Sequence, residues 1–366
     1  MSEVFILGAG FSKAISLEMP LIKELSQQVF ERYKGANAIA SDVRRMMEED
    51  FEKALTFLAQ EKPWMPESEN LRHRALYLDL TNVIRGILDE KCKNPLVFGI
   101  NRPAFWLEAL ITYWHNNHCI VMTLNYDTLI ERVAGSIYWA GRSTIIPTGD
   151  LYPIPLIRAA QRSTATFLGY SRVETFKLFK LHGSTNWFYS GRSNFYGEEL
   201  YYVPCIGGLD GTFDAAEGRD PEKFDWAKTR DKTSLIIPPI LDKAIFFQHE
   251  SLRSMWFQAS QEVKTANKIV CMGYSLPISD LTMAQFLKSS APPQKIPFEI
   301  VDMQSKHDHF GSTIGAEVYD FSQECDGEDC IPTFVVKNCI PKEEDKASVI
   351  RMSQWNAPQH RKLTAQ

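Results

Sequence analysis

Several things are scarce in this sequence, and each scarcity removes a class of function. No stretch approaches the about 18 consecutive apolar residues of a membrane-spanning helix, so no contact with a bilayer is expected. Positive charge is not in excess: 40 Lys and Arg stand against 45 Asp and Glu, for a net charge of −5. The chain therefore offers no basic footprint for a phosphate backbone, and direct nucleic-acid binding is not expected. The seven cysteines (Cys92, Cys119, Cys205, Cys271, Cys325, Cys330 and Cys339) are odd in number and widely scattered. They build no disulfide framework, and several sit inside apolar runs as small hydrophobes. The N-terminal apolar run before Gly8 is too short for a signal peptide. The expectation is a soluble, cytoplasmic protein in a reducing compartment.

What is present is a chain of 366 residues, 44% hydrophobic and 23% charged, enough for one large domain with a sizeable insertion. Val4 to Leu7 read as a β-strand, followed by a glycine turn and an amphipathic helix from about Pro20 to Tyr33. Between about 35 and 115, apolar residues such as Val43, Met46, Met47, Phe51, Leu55, Leu58, Leu76, Leu80, Val83, Ile84 and Ile87 recur at helical spacing. A helical insertion between the first and second sheet strands is expected there.

"HCIVMTLN" reads as the second strand, with a helix from Asp127 to Ala134, and "TFKLFKLHG" alternates apolar and basic residues as a strand does. The segment 189–233 reads as a loop-rich insertion with a short strand at Leu200 to Val203. "SLIIPP" predicts a further strand, Ser251 to Ala266 a helix, "KIVCM" a strand, Leu281 to Lys288 a helix and "PFEIVDM" a strand. Strands alternating with helices predict an α/β fold, a parallel sheet flanked by helices. The domain is expected to run from 1 to 340, with a polar, loosely attached tail over 341–366.

Ligand-type residues gather at five predicted strand ends. Gly8-Ala9-Gly10 sits between strand and helix, where backbone N–H groups suit a diphosphate or where glycine merely permits close packing. Lys13 stands at the third fingerprint position. Ser12 is a hydroxyl donor or an N-cap. Asn125 and Asp127 flank Tyr126; helix capping accounts for Asp127 but not for Asn125. His182 precedes Gly183 and is either a proton acceptor or a satisfied histidine. Gly273 and Ser275 in "GYSLP" repeat the glycine-hydroxyl theme, and Asp302 binds a ribose or forms a turn. Parallel strands put all these ends on one rim.

The order of these motifs resembles the sirtuin-like superfamily, which binds NAD in a Rossmann-type domain. The carriers are "GAGFS", "TLNYD" in place of Thr-Gln-Asn-Ile-Asp, "KLHGSTNW" with its His-Gly, "GYSLP" in place of Gly-Thr-Ser-Leu, and "IVD" in place of Val-Asn, across residues 5 to 302. The spellings "NYDTLIE", "KLHGSTNW" and "GYSLPISD" resemble the bacterial branch rather than the protein deacylases. Two departures agree with that branch. No Cys-x-x-Cys pair is present for a zinc ribbon, so no metal is expected. "LEMPL" stands where sirtuins carry Ile-Pro-x-Phe-Arg.

The resemblance implies an NAD glycohydrolase that releases nicotinamide and ADP-ribose. In it Asn125 would place a water, His182 would accept a proton, and Asp127 would hold the nicotinamide amide or ribose. Gly8, Ala9, Gly10 and Ser12 would take the diphosphate, Gly273 and Ser275 the adjoining phosphate or ribose, and Asp302 the adenosine ribose. The branch further implies an antiviral effector that depletes NAD in abortive infection, switched on by a partner protein or by homo-oligomerisation. Two alternatives stay open: a non-catalytic NAD or ADP-ribose sensor, and an NAD-dependent deacylase.

Overall fold

The segment Glu3–Leu7 (β1) is apolar because it is covered on both faces: Val4, Phe5, Ile6 and Leu7 are all buried. A computed structural model describes residues 2–33, 41–92, 105–135, 146–159, 172–190, 199–205, 226–240, 249–278 and 280–340. β1 lies mid-sheet among Ile120–Thr123 (β2), Lys177–Lys180 (β4), Lys268–Met272 (β8), Ile296–Val301 (β9) and Tyr319–Cys325 (β10). All pairings in this sheet are parallel, in the order β4-β2-β1-β8-β9-β10. Taking its strands in chain order gives 3-2-1-4-5-6, the Rossmann-like, doubly wound arrangement. The order reverses between β1 and β8, the point at whose strand carboxyl ends doubly wound sheets take their ligands.

Helices flank the sheet. Ala9–Ile15 (α1) starts directly on Gly8, whereas the sequence predicted a turn and no helix before about Pro20; Ile22–Tyr33 (α2) follows after a break. Ser41–Glu49 (α3), Phe51–Ala59 (α4), Glu67–Cys92 (α5) and Phe105–Asn116 (α6) then precede β2. Among the described residues the regular structure of the insertion is all helical, with a turn segment at 60–66. In α5, Tyr77, Leu80, Thr81, Ile84, Ile87 and Leu88 are buried at helical spacing, and this helix packs against α2, α4 and a second sheet.

That second sheet was not foreseen. Ile157–Arg158 (β3), Tyr201–Tyr202 (β6), Gly183–Tyr189 (β5) and Thr233–Ile236 (β7) form it in the order β3-β6-β5-β7, with β5 antiparallel to β6 and β7. The predicted "SLIIPP" strand therefore belongs here and not to the parallel sheet. Four short helices or turns matter for the site: Leu129–Ala134 (α7), Thr148–Leu151 (α8), Glu250–Lys264 (α9) and Leu281–Ser289 (α10). His307–Phe310 (α11) and Cys330–Asn338 (α12) flank the edge strand β10. The tail expected from 341, residues 35–40 and 93–104 of the insertion, and 191–198 and 206–225 of the loop-rich segment lie outside the described residues. All seven cysteines are free thiols, six of them buried. No described helix is long and apolar enough to cross a membrane.

The turns after β1 and β8 meet backbone to backbone. Gly273 has φ +58°, and a Cβ built on it would lie 2.3 Å from the Phe11 nitrogen. Gly273→Ala is expected to destabilise the protein by about 2 kcal/mol or more, through left-handed strain plus a backbone clash. Urea denaturation followed by circular dichroism measures this.

Candidate active site at the rim of the parallel sheet

The rim is built first from glycine. Gly8 N–H donates to Met272 O (3.1 Å), Gly10 N–H to Gly273 O (2.9 Å) and Gly273 N–H to Val301 O (2.9 Å). A Cβ on Gly8 would stand 2.6 Å from Gly273 O, and one on Gly10 2.8 Å from it. These glycines let the chains after β1, β8 and β9 touch, and the N–H groups of Gly8 and Gly10 are engaged in doing so. The N–H of Ala9 takes part in none of these bonds.

Ser12 is not an N-cap; Gly8 holds that position and makes no side-chain bond. The Ser12 side chain is buried inside the site, its Oγ donating to Asp127 Oδ2 at 2.6 Å. Asn125, where the chain leaves β2, donates Nδ2–H groups to Gly8 O (2.7 Å) and Ser12 Oγ (2.8 Å). Gly8 O can only accept, and the Ser12 hydroxyl proton already points at a carboxylate, so the amide has one consistent orientation. Its nitrogen faces the glycine turn, and its Oδ1 is presented as an acceptor. Asp127 spends its second oxygen on the N–H of Leu129 (3.2 Å), which opens α7 two residues later than predicted. The carboxylate thus caps the helix and anchors Ser12 at once.

His182 follows β4 at a turn that Gly183 makes possible: φ is +79°, and a Cβ would meet Leu235 O at 2.2 Å. The imidazole lies between two rings, Tyr126 at 6.4 Å (stacked) and Trp256 at 6.3 Å between centroids. Trp256 is itself fixed, donating its indole N–H to Leu181 O at 3.0 Å and meeting Phe286 edge-on at 5.1 Å. Burial, reinforced by the charges of Asp280 and Glu52, raises the Tyr126 hydroxyl well above the usual phenol range, so it stays protonated. Trp256 carried no sequence signal beyond a place on a predicted helix.

Gly8, Gly10, Ser12, Asn125, Asp127 and Gly273 therefore form one bonded group, which His182 joins through Tyr126. Ser275 and Asp302 share the rim without side-chain bonds to that group. Ser275 is exposed, and half-buried Asp302 accepts the N–H of Gln304 at 3.1 Å, closing the turn after β9.

Beneath the rim lies a polar network that the sequence reading missed. Lys180 Nζ donates to the backbone carbonyl of Asp127 and pairs with Glu131 Oε1 at 3.1 Å, with side chains 1% and 0% exposed. Glu131 Oε1 also accepts the Tyr152 hydroxyl at 3.0 Å, and Asn186 Nδ2 reaches that hydroxyl at 3.2 Å. Lys177 is half exposed, whereas Lys180 is buried against Glu131 of α7. The insertion also touches the site: burial, and after it the Asp127 charge, push the Cys92 thiol up to about 12, which sets the end of α5 beside Asp127. Among the described residues no cluster of His, Cys, Asp or Glu is arranged to hold a metal ion.

No protein-family model matches the chain, and no curated protein matches it. Solved structures do. Sir2Tm bound to a propionylated peptide is 16% identical, with 93% of this chain and 94% of that one covered and a TM-score of 0.36. A complex of Sir2, a p53 peptide and NAD+ is 14% identical over 93% and 94%, with a TM-score of 0.37. Sir2 with the inhibitor EX-527, 2'-O-acetyl-ADP-ribose and a deacetylated p53 peptide is 14% identical over 93% and 95%, with a TM-score of 0.36. The fold is defined by its strand order.

Ser12→Ala would leave Asp127 Oδ2 and one Asn125 N–H without their partner in a buried setting. A loss of about 1–3 kcal/mol in unfolding free energy is expected from denaturant titration.

Proposed function

We propose that this protein is an NAD glycohydrolase that cleaves NAD to nicotinamide and ADP-ribose. The observation supporting this reading above others is the fixed Asn125 amide at the switch-point rim. Both of its N–H groups are spent on Gly8 O and Ser12 Oγ, and its carbonyl oxygen is presented where a doubly wound sheet takes its ligand.

The reaction needs little more than placement and charge stabilisation. As the bond between C1′ and the nicotinamide nitrogen breaks, its electron pair neutralises the pyridinium and the sugar gains oxocarbenium character. A water held by Asn125 Oδ1 attacks C1′, and its proton passes to His182, either directly or by way of a ribose hydroxyl. The rings of Tyr126 and Trp256 hold the imidazole and keep bulk water from it. Asp127, with both oxygens engaged in the protein, acts in this account as a positioning residue through Ser12 rather than as a ligand to nicotinamide. The turns at Gly8 to Ser12 and Gly273 to Ser275 take the diphosphate side of the dinucleotide, and Asp302 takes the adenosine ribose.

The sequence resemblance extends the proposal to a regulated antiviral effector in the bacterial cytoplasm. An unregulated enzyme of this kind would drain its own cell, so an activating protein or a homo-oligomer belongs to the same reading. The domain then runs through 340, with the helical insertion, the loop-rich segment and the 341–366 tail as the contact regions. α5 is the element that joins such a contact to the site, since its end lies beside Asp127.

Incubation of the purified chain with NAD, with chromatographic measurement of nicotinamide and ADP-ribose in equal amounts, tests the reading. Asn125→Ala and His182→Ala are each expected to lower turnover by about a hundredfold or more. Turnover untouched by either variant sinks the assignment. Binding of NAD without turnover supports the sensor, and release of nicotinamide only with an acetylated peptide supports the deacylase.

A further inference from the structure

The loop that carries Asn125 is held from three directions. From the turn after β1 comes Gly8 O and from α1 comes Ser12, which together take the Asn125 side chain. From β5, Thr185 N–H donates to Tyr126 O at 2.9 Å, and Ser184 Oγ to the same oxygen at 3.3 Å. From β4, the Lys180 ammonium donates to Asp127 O. The last ladder bond between β2 and β4 is Leu181 N–H to Thr123 O at 3.0 Å; beyond it Lys180 is the β4 side chain that reaches Asp127, alongside the Thr185 and Ser184 bonds from β5 to Tyr126 O. Lys180 stands two residues before His182, and Glu131, its counter-ion, lies on the helix opened by Asp127. One buried ion pair thus ties the element bearing His182 to the element bearing Asn125.

An ion pair is a poor choice if stability alone were served. Both side chains are removed from water, and replacing such a pair by apolar residues of similar volume is commonly neutral or stabilising. Glu131 Oε2 is moreover buried with no hydrogen-bond partner, a further cost of keeping the carboxylate there. The cost is confined to one position, and the geometry around it is well fixed. Tyr152 aims its hydroxyl at Glu131 Oε1, and its own backbone carbonyl accepts from Arg172 Nη2 at 2.7 Å.

We infer that the buried Lys180–Glu131 pair, steadied by Tyr152, is a positioning device that sets Asn125 against His182, and that it adds little to fold stability. The inference rests on the glycohydrolase reading for its catalytic consequence but not for its structural one. The test compares the full-length wild type with Lys180→Met/Glu131→Leu and with Tyr152→Phe, by thermal melting, by steady-state nicotinamide release, and by hydrogen–deuterium exchange over residues 121–133. For the double variant the melting temperature is expected to stay within about 5 °C of wild type. Its kcat should fall by about tenfold to a hundredfold, with KM changed by less than about threefold, because a displaced water or imidazole harms the reacting geometry more than binding. Tyr152→Phe should show the same split at smaller size, and it carries the test if the double variant does not fold.

A folded variant with unchanged kcat overturns the inference, as does a KM effect alone. If the wild type does not cleave NAD, the glycohydrolase reading fails by itself, and exchange decides the rest. Faster exchange confined to 121–133 in a variant that melts like wild type upholds the positioning role, and unchanged exchange there overturns it.

Discussion

The contact on which the rest of the site depends is the one between the Gly8–Gly10 turn and Gly273. Two chain segments separated by most of the protein's length approach so closely that a Cβ on any of the three glycines would collide with the opposing backbone. This closeness brings Gly8 O and Ser12 Oγ within reach of Asn125, and it orients α1 so that Ser12 meets Asp127. Glycine here serves packing first, and whatever anion-binding capacity the turn retains is built on top of that.

Two further layers stand on that contact. In the aromatic layer the rings of Tyr126 and Trp256 meet the His182 imidazole, and Phe286 holds Trp256 edge-on. The polar layer below it, Lys180, Glu131, Tyr152 and Asn186, fixes the backbone from which Asn125 and His182 project. Each uses a different physical means, face contact in one case and desolvated charge in the other, to hold a few functional atoms. Buried polar groups are expensive unless satisfied, and among the described residues several of them concentrate under this one rim.

Much of the parallel sheet was legible in the sequence because β1, β2 and β8 are covered on both faces and read as short apolar runs, while β9 alternates buried residues with Pro297 and Glu299 before its apolar end. The edge strand β10 was not, since "YDFSQEC" is half-buried and polar on its open side and leaves no such run. The second sheet was missed for another reason: β5, "GSTNWFY", is fully buried yet carries Ser, Thr and Asn, and the bonds of Ser184 and Asn186 go to partners distant in the chain. At the site, the five strand ends were readable as places where ligand-type residues accumulate. Lys180 was not, because a lysine in an alternating strand looks solvated until the helix that covers it is in place.

By itself, then, the sequence determined the parallel sheet apart from its edge strand β10, the helical character of the insertion and the set of polar residues gathered at strand ends, because these follow from local periodicity and from turn chemistry. Tertiary structure alone decided what those residues do to one another. That Gly8 and Gly10 spend their amides on Met272 and Gly273, that Ser12 serves Asp127 instead of capping its own helix, and that Lys180 pairs with Glu131 are all outcomes of contacts between segments far apart in the chain. Spacing along a sequence specifies which face a side chain takes. Which atom it meets is set by the close packing of strands that only the folded sheet brings side by side.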